Sequence, residues 1–212
     1  MKAVSLIESN AILLVYPIDN RPEPRSLWSE FFPKSRMRWE WDTDGDDRVA
    51  SLWRLREELS RSGKVVYAKW YQGRATFFSR ELFTDLLAVH RTADLDRARL
   101  SPEARLILST LESDSPLSTK ELKAATDLRG KLLESTYEKA MRELWRLSLI
   151  VGYGERDDGA FPSLLVGATR HHFEDLWDKA TGIDPTQARA RVESRLKEDP
   201  PFLKFFRKLS PS

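Results

Sequence analysis

Residues 117–153, LSTKELKAATDLRGKLLESTYEKAMRELWRLSLIVGY, contain the start and stop signals of two successive helices. Ser118 and Glu121 form a Ser-x-x-Glu capping box, which is typical of a helix start. We therefore expect a helix over 119–126. A turn that contains a glycine follows, and the spacing of apolar residues then predicts a second helix over 134–147.

The neighbouring segments add a helix before this pair and a hairpin after it. A Ser-Pro-Glu start opens residues 101–112, where the cap residue and the proline at the first helical position predict a helix. Apolar runs at 149–155 and 161–167 predict two strands, and Asp-Asp-Gly at 157–159 predicts the turn between them. Three helices, with a tight turn before the third, followed by a two-stranded hairpin are typical of a winged helix-turn-helix.

The residues before this unit mix strand and helix patterns. The predicted strands are 11–16, 37–41 (MRWEW, with alternating apolar residues), 64–71 and 74–79, the last two joined by a tight turn. The predicted helices are 46–61, capped by Asp44, and a helix that Ser79 caps and that runs to about His90. The polar segment 92–99 is expected to connect this region to the helices that follow.

We therefore expect an α+β fold with three parts. An N-terminal mixed α/β domain covers 1–98, a winged helix domain covers 99–182, and a basic C-terminal helical extension covers 183–212. In that extension Asp184-Pro185 predicts a helix start. The sequence FLKFFRKL at 202–209 suits either a membrane surface or packing on the protein, and its short length favours packing.

The composition excludes several classes of protein. The chain has 212 residues and no cysteine, which excludes a disulfide scaffold, a thiol nucleophile and zinc bound by cysteines. No apolar run approaches the ~20 residues of a membrane-spanning helix. No signal peptide is visible, so we expect a cytoplasmic protein without a membrane partner. The net charge of +2 does not by itself indicate a nucleic-acid-binding protein.

Three cations share one face of the helix predicted over 134–147. Lys139, Arg142 and Arg146 are spaced at i, i+3 and i+7, so their side chains project to the same side. Cations on the third helix of such a unit are the residue type that DNA phosphates and base edges require. The acidic residues that offset this charge on the same helix are Glu134, Glu138 and Glu143.

Other charges favour a protein-docking function. Residues 101–184 hold 11 Lys and Arg against 15 Asp and Glu, which gives this segment a net charge of −4. Asp157 and Asp158 would also bring negative charge to the tip of the predicted hairpin, where they repel phosphates. A solvated helix face, a module that docks a protein partner and a transcription regulator therefore remain alternatives.

A second group of cations lies among aromatic residues. Five of the seven tryptophans fall between residues 28 and 70. The cations near them, predicted to contact nucleic acid, are Arg36, Arg38, Lys69 and Arg74. Aromatic rings interleaved with cations can stack on bases and hold phosphates. The alternation of residues 37–41 favours a core position for Trp39 and Trp41 instead.

The sequence predicts neither a metal nor a cofactor. The acidic run Asp42–Asp47 lacks the glycine at position 6 and the glutamate at position 12 of an EF-hand loop. His171 and His172 are adjacent, so they do not point at one metal from one helix face. No glycine-rich phosphate loop, nucleophile elbow or dinucleotide-binding fingerprint is present.

Residues 117–153 resemble the winged-helix domain of the AlkZ-like (YcaQ-like) DNA glycosylases. The resemblance lies in the capped helix, the glycine turn, the Ala-x-x-x-Leu of the third helix and the strand after it, and it extends weakly into GAFPSLLV. This family is linked to the release of alkylated bases and to the repair of interstrand crosslinks. The resemblance implies that the protein binds double-stranded DNA, including damaged DNA.

The catalytic signature of that family has no counterpart in this chain. The family carries Gln-x-Gln or Gln-x-Asp, whereas Gln72 is followed by Gly-Arg and Gln187 by Ala-Arg. No catalytic residue can therefore be assigned. The resemblance implies a short, divergent relative that binds DNA and lacks the hydrolytic activity. An active glycosylase with an unrecognised site near Trp70–Arg74 is the alternative.

Overall fold

The protein combines many helices with two small antiparallel sheets, which confirms the predicted α+β class. The computed structural model describes residues 2–39, 45–91, 100–157 and 162–210. The first elements are α1 (Lys2–Asn10), β1 (Ile12–Leu14), α2 (Leu27–Phe31), α3 (Asp47–Arg61), β2 (Val66–Ala68), β3 (Thr76–Phe78) and α4 (Arg80–Arg91). They are followed by α5 (Pro102–Ser113), β4 (Leu117–Ser118), α6 (Thr119–Ala125), α7 (Glu134–Arg146), β5 (Ile150–Arg156), β6 (Ser163–Ala168), α8 (Thr169–His172), α9 (Glu174–Thr181), α10 (Pro185–Leu196) and α11 (Pro200–Leu209).

The first sheet has the order β1-β3-β2. Phe78 in the central strand pairs with Ile12 on one side and Val66 on the other. All residues of these strands are buried, which explains their continuous apolar sequences. The predicted pair of strands is therefore confirmed, although both are shorter. The turn between them contains Gln72 and Gly73, whose φ angles of 53° and 75° place both residues in the left-handed region.

The predicted strand at 37–41 is wrong over its described part, because residues 37–39 form no strand. The Asn20 side chain occupies the backbone groups that a neighbouring strand would otherwise bind. Its Oδ1 accepts from the Met37 N–H at 2.6 Å, and its Nδ2 donates to the Met37 carbonyl at 3.1 Å. Trp39 is half-buried against Tyr16, with ring centroids 5.3 Å apart.

Most predicted helix starts are confirmed by side-chain caps. Ser79 Oγ accepts from the Leu82 N–H at 3.2 Å at the start of α4. Ser101 caps α5, and both hydrogen bonds of the Ser118 capping box are present at α6. Asp184 caps α10.

Two helices at the N-terminal end differ from the prediction. The helix α1, which buries Ala3, Val4 and Ile7, is not predicted from the sequence. At α3 the cap is Asp46, whose Oδ1 accepts from the Arg48 N–H at 3.0 Å. The predicted cap Asp44 lies, with Trp41, outside the described residues.

The second sheet has the order β4-β6-β5 and packs against the first half of the chain. Gly152 in β5 faces the ring of Tyr67 in β2, and a Cβ at this position would lie 2.1 Å from that ring. Glycine therefore permits the close approach of β5 to β2. Beside this contact, Arg56 in α3 forms an ion pair with Glu155 in β5. Both side chains are buried, with exposed fractions of 6% and 8%.

The C-terminal helices return to the N-terminal part of the chain. Arg191 in α10 donates to Asp85 in α4 at 3.0 Å. In α11 Phe202 and Phe206 are fully buried, and the Phe205 ring lies 4.9 Å from that of Trp70. The expectation that FLKFFRKL packs on the protein is therefore confirmed.

Buried apolar residues from all three predicted parts of the chain belong to one contiguous cluster. The boundaries after residues 98 and 182 stay predictions. Within the described ranges, no helix is both long enough and apolar enough to cross a bilayer.

Candidate nucleic-acid interface

The helix α7 separates an apolar face from a charged one. Its buried side chains, which pack towards the core, are Tyr137, Ala140, Met141, Leu144 and Trp145. The predicted cations Lys139, Arg142 and Arg146 are all exposed on the opposite face. The structure thus brings these three cations together along a helix of 13 residues, which is about 20 Å long.

Two of the three acidic residues of α7 are engaged by groups other than this cationic face. Both Glu134 oxygens accept from Lys123 Nζ, at 2.6 and 2.7 Å. Glu143 accepts from the backbone N–H of Ser101 at 3.1 Å and from its hydroxyl at 2.7 Å, which fastens α7 to the start of α5. These carboxylates therefore stabilise the fold and are not paired with the exposed cations.

The third acidic residue pairs with only one of the cations. Glu138 Oε2 lies 3.5 Å from Arg142 Nη1, and both side chains are about half exposed. Solvent weakens such a pair. Among the described residues, Lys139 and Arg146 have no carboxylate within ion-pair distance.

Three neighbouring concavities lie along the charged face of α7. The first, of about 380 Å³, lies between α7 and the turn at 69–73. The second, of about 490 Å³, is lined by all three cations. The third, of about 880 Å³, lies between Arg146, Gln72 and α11. Arg142 and Arg146 each line two of these concavities, so the three concavities are neighbours along α7. We name them together the α7 groove.

The C-terminal helix supplies the far wall of the α7 groove. Lys204 and Lys208 line it and are exposed, while Phe202 and Phe206 on the opposite side of α11 are buried. Glu23 also lines this part and contributes one negative charge. The two lysines are not among the cations predicted to contact DNA, although their i, i+4 spacing within FLKFFRKL is a signal for a cationic helix face.

The turn at 69–73 supplies the other wall. Lys69 lines the groove but is half-buried, and burial lowers its pKa, with a further lowering from the nearby Arg56. Gln72 is exposed and lines two of the three concavities. Arg74 is exposed directly after the turn. Lys69 and Gln72 therefore line the groove. Arg74 does not line it, but it is the next residue in the sequence after the turn.

The other predicted cations are separate from this surface. Arg36 and Arg38 are exposed on the segment before α3, and neither lines the α7 groove. The positive charge of Arg38 helps to lower the pKa of Asp46, for which hydrogen bonding to Arg48 is the main cause. The structure therefore divides the predicted cations into a groove set and a distant set.

The predicted core role of tryptophan is confirmed for the most buried rings. Trp28 and Trp70 are almost completely inaccessible, so neither can stack on a base. Trp53 is exposed, but its ring lies 3.9 Å from the Arg56 guanidinium and its Nε1 donates to Glu155 at 3.0 Å. In the described part of the hairpin, Arg156 pairs with Glu121. Asp158, predicted at the hairpin tip, lies outside the described residues.

Comparison with known proteins identifies one family. No curated protein and no solved structure matches the chain significantly. The family described as AlkZ related matches residues 1–203, which is nearly the whole chain. The match extends far beyond residues 117–153 and includes the turn at 69–73 and the first four residues of α11. The resemblance predicted from the sequence is therefore confirmed, and the chain belongs to the AlkZ-related family.

Proposed function

We propose that this protein binds double-stranded DNA in the α7 groove. In this proposal α5, β4, α6, α7, β5 and β6 form a winged helix-turn-helix, with α7 as its third helix and the β5–β6 hairpin as its wing. The order of these elements and the pairing of β4 with β6 support that assignment. The relation of the family to DNA-repair glycosylases supports a DNA partner.

One observation carries the proposal. Lys139 and Arg146 are exposed in a concave surface and have no carboxylate partner among the described residues, while Lys204 and Lys208 lie across the same groove. A groove with cations on two walls can contact both phosphate strands of a duplex. Each neutralised phosphate releases bound counterions, which is the main source of non-specific affinity for DNA.

We also propose that the protein lacks the hydrolytic activity of the glycosylases. Gln72 is followed by Gly73 and Arg74, so the Gln-x-Gln and Gln-x-Asp signatures are not present at this turn. Removal of a base requires a positioned water as well as a pocket for the base. The side chains of the turn and of Arg74 after it supply an amide and two cations, but no carboxylate that would activate the water.

The salt dependence of DNA binding tests the proposal. Fluorescence anisotropy of a labelled duplex, titrated with the full chain at increasing KCl, gives the slope of log K against log salt. Each lost phosphate contact reduces the slope by about 0.9. Relative to the wild type, we therefore expect the magnitude of the slope to be smaller by up to about 2.7 in the triple variant K139A/R142A/R146A. In K204A/K208A it should be smaller by up to about 1.8.

A matched control separates groove contacts from net charge. Arg170, Lys179 and Lys197 are exposed and do not line the groove, so the triple variant R170A/K179A/K197A makes the same change in charge elsewhere. It is expected to keep the wild-type slope. An unchanged slope in K139A/R142A/R146A would reject the α7 groove. Failure of the wild type to retain DNA even at low salt would favour the protein-docking alternative.

An active glycosylase is the second candidate, because Gln72 is held in the left-handed backbone region while lining the groove. Non-glycine residues in this region concentrate at functional sites. Incubation of the purified chain with duplexes that carry alkylated purines, followed by mass spectrometry of released bases, tests it. Release that disappears in Gln72→Ala would establish activity, and the absence of release from several lesions would exclude it for those lesions.

A further inference from the structure

The connection between α6 and α7 projects an apolar side chain into solvent. Residues 129–133, which we name the tip, contain Leu132 with an exposed fraction of 93% and Leu133 with 37%. Leaving a leucine side chain in water forgoes the favourable free energy of its burial. Nothing in the described fold covers Leu132, so its contribution to folding is small.

The tip has a defined conformation. Leu128, before it, is buried, and the Leu133 N–H donates to the Gly130 carbonyl at 3.1 Å. The Tyr137 N–H in turn donates to the Leu133 carbonyl at 2.9 Å, which joins the tip to the first turn of α7. Gly130 has a φ of 91°, a conformation that favours glycine. The backbone therefore holds Leu132 in place before any partner binds.

The charges around the tip identify the kind of partner. Arg129 and Lys131, the two cations of the tip, are exposed on either side of Gly130. Arg129 lies 3.9 Å from Asp127, and both side chains are largely exposed, so solvent weakens this pair. The part of the α7 groove nearest to the tip is lined by Glu134, the first residue of α7, and by Lys123 in α6. An exposed apolar side chain that follows two exposed cations, on the segment that leads into α7, is complementary to a polyanion that has a stacked apolar interior.

We propose that Leu132 inserts between base pairs when a duplex occupies the α7 groove, with Arg129 and Lys131 on the flanking phosphates. The inference rests on the proposed function. Leucine is one of the apolar residues that proteins insert into base steps, where it unstacks the bases and bends the duplex by about 20–90°. A lipid surface is a poorer partner, because two leucines bury little area and stable membrane attachment requires much more.

Two measurements on one duplex test this inference. The duplex carries a central 2-aminopurine next to a thymine–adenine step, which is easily deformed, and donor and acceptor dyes at its two ends. Insertion of Leu132 raises the 2-aminopurine emission and shortens the distance between the dyes. In Leu132→Ala we expect both signals to disappear, affinity to fall by about tenfold from the lost burial, and the salt slope to remain as in the wild type.

Leu106→Ala is the matched control, because Leu106 on α5 is also exposed and does not line the groove. It is expected to keep both signals. Leu132 is almost fully exposed, so its replacement does not disturb the core.

The outcomes separate this inference from the function on which it rests. Wild-type binding with intact stacking, or signals that survive in Leu132→Ala, would overturn insertion and leave DNA binding in place. No binding by the wild type would overturn both. Binding of phosphatidylserine vesicles that is lost in Leu132→Ala, while a bound duplex stays stacked, would assign the tip to lipid and overturn insertion.

Discussion

The contact between α3 and β5 and the exposed face of α7 use arginine in opposite ways. Arg56 is buried, faces the Tyr67 ring and is paired with Glu155, which also accepts from Trp53. Arg146 is exposed and has no carboxylate partner among the described residues. The first arginine is paired within the fold, although its buried Nε has no hydrogen-bond partner, whereas the second contributes little to the fold.

This difference shows where the chain has charge available for a partner. A buried cation without a partner would cost several kcal/mol, so an unpaired cation is tolerated only in solvent. The chain could neutralise the α7 face with its own acidic residues, yet Glu134 and Glu143 bind Lys123 and Ser101 instead. The exposed cations of α7 are therefore consistent with selection for binding. The buried pair of Arg56 and Glu155 is consistent with selection for stability.

Removing the buried carboxylate is expected to have the largest effect. Glu155→Ala leaves Arg56 buried without its ion-pair partner, which we expect to lower the free energy of unfolding by about 3–5 kcal/mol. Urea unfolding measures the loss. Below the unfolding transition, the duplex affinity should equal that of the wild type, because neither residue lines the α7 groove.

A double replacement provides the control. Arg56→Met with Glu155→Leu removes both charges and keeps apolar volume, so much of the lost stability should return. A Glu155→Ala variant as stable as the wild type would show that the contact between α3 and β5 does not depend on this pair, and the comparison of the two arginines would fail.

The parts of the fold that the sequence predicts are those set by local chemistry. Ser101 and Ser118 cap their helices because their hydroxyls reach backbone N–H groups within the same turn. The strand predicted at 37–41 fails for a non-local reason, since the side chain of Asn20, 17 residues away, binds both backbone groups of Met37. The alternation of residue types within 37–41 cannot reveal that a distant side chain occupies these backbone groups.

The sequence predicts the cations of α7 and Lys69 of the turn, but it does not predict the wall that α11 supplies. Lys139, Arg142 and Arg146 follow from helical spacing within one element. Lys204 and Lys208 enter the groove because Phe202 and Phe205 of α11 pack on the rings of the turn at 69–73. That contact depends on tertiary packing, so the sequence indicates a cationic face of α11 without indicating what it faces.

Like Arg56, His90 is a buried basic side chain, but it is not paired with a carboxylate among the described residues. Burial lowers its pKa from the ordinary 6.5 to about 4. As the pH falls through this window, the unfolded chain binds a proton that folded His90 does not, so stability decreases. We expect the loss to approach about 3 kcal/mol between pH 6.5 and pH 4.

Urea unfolding of the wild type and of His90→Gln across that pH range measures this contribution. Carboxylates that titrate in the same window affect both proteins equally, so the difference in slope belongs to His90. Parallel pH profiles would mean that His90 becomes charged in the folded protein at its ordinary pKa. A buried cation without a partner would then be tolerated, contrary to the comparison.

The smallest expected effect comes from Glu138→Gln, which tests directly whether the cations of the α7 face are left available for DNA. Glu138 is the acidic residue of α7 that pairs with a cation of this face, at 3.5 Å from Arg142. Glu138→Gln frees Arg142 for phosphate and removes a repulsive charge, so we expect a two- to threefold gain in duplex affinity, about 0.5 kcal/mol. Anisotropy titration at low salt measures the gain, which should vanish at high salt because solvent ions screen exposed charges.

Glu174→Gln removes the same charge from an exposed position on α9 that does not line the groove. Its affinity should match the wild type. An equal gain in both variants would attribute the effect to net charge alone. A loss of affinity in Glu138→Gln would mean that the Glu138–Arg142 pair orients the arginine for binding, and Arg142 would then belong with Arg56 among the cations that need a carboxylate to act.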